Sequence, residues 1–435
     1  MRSGCALCKN ISMTLRHRLA EHISLALYRA ATSVLRPLLP LHLKKRLQRG
    51  REHSERWREK QGFSSLPRPV GKLVWLHAVG LGEVLALRGM IVALQTCDPC
   101  LQFLVTSSTT ASAETFDKNL PPRTIHQFLP LDTRRYTQRF LDHWRPDLAL
   151  WSEQDIWPGL VTQTARRGIP QALINVRMNA TSFQRKRKVK ALYRAVYRNF
   201  ALISAQDSDT AAALTKLDAQ QDIRIDGSLK PHSPALRVSA PDLAILRTAL
   251  AGKSVWVAAS CHPEDEAIAL AAQRQLLAKA PGTLLLLAPR YPSRRAQIIA
   301  KLSGFNVKVR SRGELPDAHT EVFVADSFAE MGLWYALSDM ALIGGTFSDV
   351  DGHNPWEALQ LECGVMHGPR YGNFVSDYNA LIEAQACFSV YNAKDIVDIL
   401  TMQSSRGLDG YRHLQRDQSA ALSDLAERLV GLIKP

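Results

Sequence analysis

The chain has no uninterrupted apolar stretch near the ~18–20 residues that a membrane-spanning helix needs. Arg16, Arg18, Glu21, Arg29 and Arg36 break up its most apolar opening segment. The same charges exclude the apolar centre of a secretory signal peptide. A disulfide framework is also absent. The seven cysteines, Cys5, Cys8, Cys97, Cys100, Cys261, Cys363 and Cys387, are odd in number and scattered, which points to a reducing compartment. The pairs Cys5/Cys8 and Cys97/Cys100 have Cys-x-x-Cys spacing, but stand far apart in different contexts, so zinc or redox chemistry is a minor reading. Tandem repeats and low-complexity tracts are lacking too, and no metal-ligand spacing beyond these pairs occurs. Acidic residues are in deficit, 40 against 55 Lys and Arg, for a net charge of +15. A charge of that sign suits an anionic partner.

The excess is concentrated at the start. Residues 1–50 hold ten basic residues against the single acid Glu21, which is +9 of the +15. Leu15, Leu19, Ile23, Leu27, Val34 and Leu38 recur there at mostly helical spacing. A basic amphipathic helix over residues 1–48 is expected, lying on an anionic membrane surface; a surface helix packed on the protein's own body is the other reading. A second basic cluster, Arg185-Lys186-Arg187-Lys188 with Lys190, Arg194 and Arg198, lacks aromatic interleaving. No nucleic-acid partner is therefore expected.

At 435 residues the chain exceeds one ordinary core. Short apolar runs alternate with helical patterns throughout. Strands are expected at Leu73–Val79, Leu101–Thr106, Leu148–Trp151, Gln171–Ile174 and Leu202–Ser204, and again at Val255–Ala259, Leu284–Ala288, Val307–Val309, Val322–Val324 and Met340–Ile343. A polar helix is expected at Arg51–Gln61. Such alternation makes parallel sheets covered on both faces. The expected fold is α/β, with two Rossmann-like domains facing across a cleft and the basic helix in front. The domains are expected at 49–230 and 231–435, after the helix at 1–48. Ligands of such sheets bind beyond the carboxyl ends of the strands, where most of the unusual residues fall. The run Met340–Ile343, Gly344-Gly345-Thr346-Phe347-Ser348-Asp349-Val350-Asp351-Gly352-His353-Asn354-Pro355-Trp356-Glu357 reads as strand, glycine turn and helix start, an anion-binding corner.

Six motifs occur in one order: His77-Ala78-Val79-Gly80-Leu81-Gly82-Glu83; Glu153-Gln154-Asp155-Ile156-Trp157-Pro158; Gly227-Ser228-Leu229-Lys230; Pro289-Arg290-Tyr291-Pro292-Ser293-Arg294; Gly352-His353-Asn354-Pro355-Trp356-Glu357; and Gly368-Pro369-Arg370-Tyr371-Gly372-Asn373-Phe374. The ordered set, from about Leu27 to Leu381, resembles the Kdo transferases, which move 3-deoxy-D-manno-octulosonic acid (Kdo) from CMP-Kdo to a lipid A precursor. The resemblance implies a GT-B glycosyltransferase that inverts the anomeric centre, with no metal or other cofactor. It implies an anionic inner-membrane surface as partner, on the cytoplasmic face, with peripheral or monotopic attachment.

By the same resemblance Glu83 is the general base, and Glu153 and Lys230 stabilise the transition state. Pro289 and Arg290 bind the nucleotide, Ala329, Glu330 and Met331 line its cytidine side, and Asn354, Pro355, Trp356 and Glu357 complete the CMP site. Locally, Glu83 reads equally well as a helix-start acid interacting with the dipole. The chain departs from the family pattern at Gly80, where Ser is usual, at Ala329 and Asp351, where Gly is usual, and at Cys261-His262-Pro263-Glu264-Asp265 and Ala358. These departures leave open a divergent paralogue with another CMP-activated sugar acid or acceptor, or a silent relative that binds membrane or nucleotide.

Overall fold

A computed structural model describes residues 4–117, 120–154, 156–219, 222–402 and 407–434; Asp155 and the side chains of Cys5 and Cys8 lie outside what is described. The chain divides into two compact units, one of residues 1–234 with 418–435, the other of residues 235–417. The closing residues 418–435, expected with the second domain, belong to the first. Leu422, Leu425, Ala426 and Leu429 are buried there against strands and helices of the first unit.

The first unit holds a seven-stranded sheet: β1 (Leu73–His77), β2 (Gln102–Ser107), β3 (Thr124–Phe128), β4 (Leu148–Ser152), β5 (Gln171–Val176), β6 (Leu202–Ala205) and β7 (Asp222–Ile225). Every pair is parallel, in the order β3-β2-β1-β4-β5-β6-β7. The central strands β1, β4 and β5 are buried at every position, as a sheet covered on both faces requires. The order reverses between β1 and β4, opening the crevice where ligands of such sheets bind.

The second unit repeats the plan with β8 (Ser254–Cys261), β9 (Thr283–Pro289), β10 (Val307–Val309), β11 (Val322–Val324), β12 (Met340–Ile343), β13 (Gly364–His367) and β14 (Cys387–Ser389). The order is β10-β11-β9-β8-β12-β13-β14, again all parallel. The switch point lies between β8 and β12. Backbones approach closely there. A Cβ on Gly344 would stand 2.4 Å from the Ser260 carbonyl oxygen, so only glycine fits.

The opening segment is helical, α1 (Gly4–Leu35), then a 3-10 turn at Arg36–Leu38 and α2 (Leu39–Gln48). Among the described residues no helix is long and apolar enough to cross a membrane. The helix expected over Arg51–Gln61 is only a 3-10 segment, Trp57–Gln61. Before it the His53 imidazole accepts from the Glu55 and Arg56 amides, holding a turn, and Glu52 is drawn inward between Arg46 and Lys60. Four strands escape the sequence reading. β3, β7 and β14 lie at or next to sheet edges and carry polar residues; β13 is a four-residue run that begins with glycine.

Candidate active site

Helix α3 (Leu81–Cys97) starts just beyond β1 with Gly80 as its N-cap. Glycine has no side chain to cap the helix, and Glu83 does so instead. Its Oε2 accepts from the amides of Val79 at 3.2 Å and Gly80 at 3.1 Å. A Cβ on Gly80 would stand 3.3 Å from Glu83 Oε1, so the departure from serine leaves that oxygen less crowded. His77, in the same motif, is a core residue. It is fully buried, with Nδ1 3.0 Å from Thr106 Oγ1.

Across the switch point, Glu153 follows β4. It takes the left-handed conformation, φ 58°, while its amide donates to Ile174 O. Its carboxyl meets that of Glu83. Burial, the charge of Glu83 and a hydrogen bond between the two carboxyls push Glu153 up to about 8, against the pull of Lys230 and Arg177. A like charge in contact disfavours the ionised form, so Glu153 keeps its proton near neutral pH.

Lys230 comes from beyond the edge strand β7, yet returns to the crevice. The Asp226 amide bonds to Ala205 O at the end of β6, and the Leu229 amide to Asn175 Oδ1 at the end of β5. His232 then lies against α3, where a Cβ on Gly89 would stand 2.4 Å from its carbonyl oxygen. Crossing the strand ends in this way brings Lys230 to Glu153. Arg177, just past β5, also acts on Glu153. Sequence reasoning missed it, although its place after a buried strand was a usable signal.

A stability test follows from Glu153. A carboxyl raised in the fold keeps a proton that the unfolded chain releases above about pH 4.3. Folding stability then falls as pH rises from there to about 8, by up to about 1.4 kcal/mol per unit, with less expected for a partly exposed group. Glu153→Gln cannot titrate. Thermal melts should show a gain over the parent that grows from about pH 5 to about pH 8 and then levels off. A gain independent of pH would show that Glu153 does not hold the proton.

In the second unit Pro289 closes β9 and is buried, while Arg290 beyond it is exposed. The Arg290 amide bonds to Cys261 O. Its guanidinium acts on both Glu357 and His353. Burial raises the Glu357 carboxyl, opposed by Asn354 and Arg290; Asn354 Nδ2 donates to Glu357 Oε1 at 3.2 Å. Burial, then the charges of His262 and Arg290, push His353 down to about 4. The two imidazoles stack with their Nε2 atoms 3.0 Å apart. Arg290, Glu357, Asn354, His262 and His353 thus gather at the β8/β12 switch point. The histidine pair was not singled out from sequence, though both members lie in quoted motifs.

The glycine corner after β12 holds an anion of its own. Asp265 accepts from the amides of Gly345 at 2.7 Å, Phe347 at 3.1 Å and His262 at 2.9 Å. The helix after Pro355 is only Trp356–Leu359, and Asn354 Oδ1 accepts from the Trp356 amide. The amides of Gly345, Phe347, His262 and Trp356 are thereby occupied, and Arg290 is the exposed cation of this cluster. Trp356 is 1% exposed, its indole bonded to Asp377, so its side chain belongs to the core. Pro355 is also buried.

Glu330 is held by Arg310, through Nη2–Oε1 at 2.7 Å and Nε–Oε2 at 3.2 Å, and by Ser327. Met331 packs against the core. Ala329 is exposed with φ 62°, a conformation that costs a residue with a Cβ ~1 kcal/mol or more. Ala329→Gly should therefore stabilise the protein by up to about 1 kcal/mol, after the added freedom of glycine in the unfolded chain is subtracted. Denaturant unfolding would show it; an unchanged midpoint would show that the loop relaxes.

Among the described residues no group of three or more His, Cys, Asp or Glu is placed to hold a metal. Cys97 and Cys100 are free and exposed.

Two parallel-sheet units, with a carboxyl pair at one switch point and Arg290 beside Glu357 and His353 at the other, have the architecture of a GT-B glycosyltransferase. A solved UDP-GlcNAc 2-epimerase from Neisseria meningitidis shares this fold, with a TM-score of 0.54 at 12% identity over 83% of this chain and 99% of that one. A family model described as 3-deoxy-D-manno-octulosonic-acid transferase (kdotransferase) matches residues 55–233. The chain is 32% identical to a probable mitochondrial 3-deoxy-D-manno-octulosonic acid transferase of Arabidopsis thaliana, over 91% of this chain and 92% of that protein. It is also 32% identical to the 3-deoxy-D-manno-octulosonic acid transferase of Haemophilus influenzae, over 88% and 92%. The chain belongs to the 3-deoxy-D-manno-octulosonic acid transferase family, and it is a transferase enzyme.

Proposed function

We propose that the enzyme moves Kdo from CMP-Kdo to a lipid A precursor, at the cytoplasmic surface of the inner membrane, with inversion and without a metal ion. The observation that carries this reading is the hydrogen-bonded pair Glu83–Glu153 beside Lys230. A pair with its proton on Glu153 leaves Glu83 to accept the proton of an acceptor hydroxyl. As that oxygen bonds to the anomeric carbon of Kdo, the bond to the phosphate oxygen breaks and CMP leaves with the electron pair. Arg290 supplies positive charge for the phosphate. Glu357 offers a carboxyl to the ribose hydroxyls. Lys230 and Arg177 balance charge around the carboxyl pair.

The membrane reading is supported by α1. Its anchor is polar: buried Glu21 pairs with Arg194 at 3.0 Å and Arg198 at 3.1 Å. Leu19, Ile23, Leu27 and Val34 are at least half exposed. A helix that bonds to its own protein through a charge and turns leucines outward suits a lipid interface. Through the same ion pairs α1 lies beside the second basic cluster, where Arg185, Arg187 and Lys188 are exposed.

The test is CMP release from CMP-Kdo, with and without a tetra-acylated lipid A precursor and with EDTA present. Acceptor-dependent release, unchanged by EDTA, is expected. Release that needs added metal would remove the metal-free mechanism. CMP binding without release would point to another sugar acid or acceptor, and absence of CMP binding would overturn the reading.

A further inference from the structure

A cavity of ≈ 390 Å³ opens beside α1, away from the carboxyl pair, lined in part by Arg29, Arg134, Arg166 and Asp132. Arg29 comes from α1, Arg134 from the start of the helix Arg134–Trp144, and Arg166 from the end of the helix Pro158–Arg166. Burial, then the charges of Arg166 and Arg134, hold the Arg29 guanidinium below its ordinary range, so the three cations feel one another.

Like charges are not gathered without a counter-charge, and the protein supplies only part of one. Arg29 Nη2 donates to the neutral hydroxyl of Thr162 at 3.0 Å. The guanidiniums of Arg134 and Arg166 make no hydrogen bond or ion pair with a described residue. The single carboxylate is Asp132, 7% exposed. Its Oδ2 accepts from Tyr28 Oη at 2.6 Å and from the Gly159 amide at 2.8 Å; burial pushes the carboxyl up, opposed by Tyr28, the Gly159 and Leu160 amides and Arg29. Three guanidiniums against one carboxyl leave the cavity with a net positive charge of about +2 or more. A phosphate monoester carries about −1.5 to −2 at neutral pH and offers three acceptor oxygens to guanidinium forks.

The surroundings select the carrier. Ala30, Thr32 and Ser33 of α1 also line the cavity, and Leu27 and Val34 on the same turns are 65% and 77% exposed. A free anion needs no such border; a phosphate on an acyl-chain lipid does.

We infer that Arg29, Arg134 and Arg166 form a binding site for the phosphomonoester of a lipid, which seats the enzyme on its membrane through one defined headgroup. This rests on the membrane reading of α1. The same group is offered by phosphatidic acid in a bilayer and by a phosphorylated glycolipid acceptor, and the experiment separates them.

Full-length protein is titrated with phosphatidylcholine vesicles containing phosphatidic acid, or phosphatidylglycerol matched for charge. Arg134→Gln/Arg166→Gln is compared with the parent and with Arg185→Gln/Arg187→Gln on the neighbouring basic cluster. Arg134 and Arg166 are exposed and unpaired, so the fold should tolerate their loss. The parent should prefer phosphatidic acid. The first double variant should lose about tenfold or more of that affinity, with little change on phosphatidylglycerol. The control pair should weaken both vesicle types alike. A lost preference with an unchanged apparent KM for acceptor in neutral detergent assigns the bilayer lipid; a KM raised about tenfold assigns the acceptor.

Parent protein that binds both vesicles equally, with acceptor KM unmoved in the variant, overturns the site and leaves the membrane reading intact. Parent protein that binds no vesicle removes the membrane reading, and the acceptor KM alone then upholds or overturns the site. Inorganic phosphate that competes as well as phosphatidic acid would overturn the lipid assignment.

Discussion

Glu83→Gln should slow sugar transfer by about a hundred- to ten-thousandfold, the usual range for loss of a general base, while CMP binding stays unchanged. Glutamine keeps the size of the side chain, and its Oε1 can still accept from the Val79 and Gly80 amides that now bond to Glu83. Helix α3 should therefore keep its start, and the loss should appear in kcat. The residues proposed for the nucleotide belong to the other unit, so the CMP dissociation constant is a clean control. A variant with near-normal turnover would remove Glu83 from the role of base. Equal loss of CMP affinity would instead indicate general damage.

Arg290→Ala is expected to raise the dissociation constant for CMP by about 10- to 100-fold, since a hydrogen bond to a charged group contributes about 1.5–3 kcal/mol. The prediction is sharp because other local charges are committed. Arg294 is paired with buried Glu266 through two bonds, and the glycine corner is held by Asp265. Arg290→Lys should restore part of the affinity, because an ammonium keeps the charge and loses the fork. A second readout is His353. The charge of Arg290 is one of the causes that push it down to about 4. Removing that charge should move its NMR titration upward. An unmoved His353 with unchanged CMP affinity would place the guanidinium away from the phosphate.

Much of this was legible in the chain itself. β12 was read to the residue, because Met340–Ile343 is a short apolar run bounded by a charge and two glycines. Edge strands such as β7 and β14 were not, because a strand with one partner and a half-exposed face admits polar residues. Glu83 and Lys230 were legible as motif residues. What the motifs hid was that the anion-binding corner already had its anion, since Asp265 lies 80 residues before Gly345 and only β8 beside β12 brings them together. Trp356 was assigned to the nucleotide site by the resemblance of its motif, whereas its indole is buried and bonded to Asp377, since the side-chain direction on a one-turn helix is set by the core beneath it.

The sequence alone determined the architecture class, through alternating apolar runs and helical patterns, and the family, through six ordered motifs. It also set the excess positive charge at the start of the chain. The tertiary structure decided which charges meet. Glu153 meets Glu83 because the strand order reverses between β1 and β4, and Lys230 joins them because a loop crosses back over two strand ends. Arg29, Arg134 and Arg166, from three separate helices, converge beside α1 with too little negative charge to match them. Motifs are local and electrostatic interactions act through space, so only the folded chain shows which titratable groups share a site.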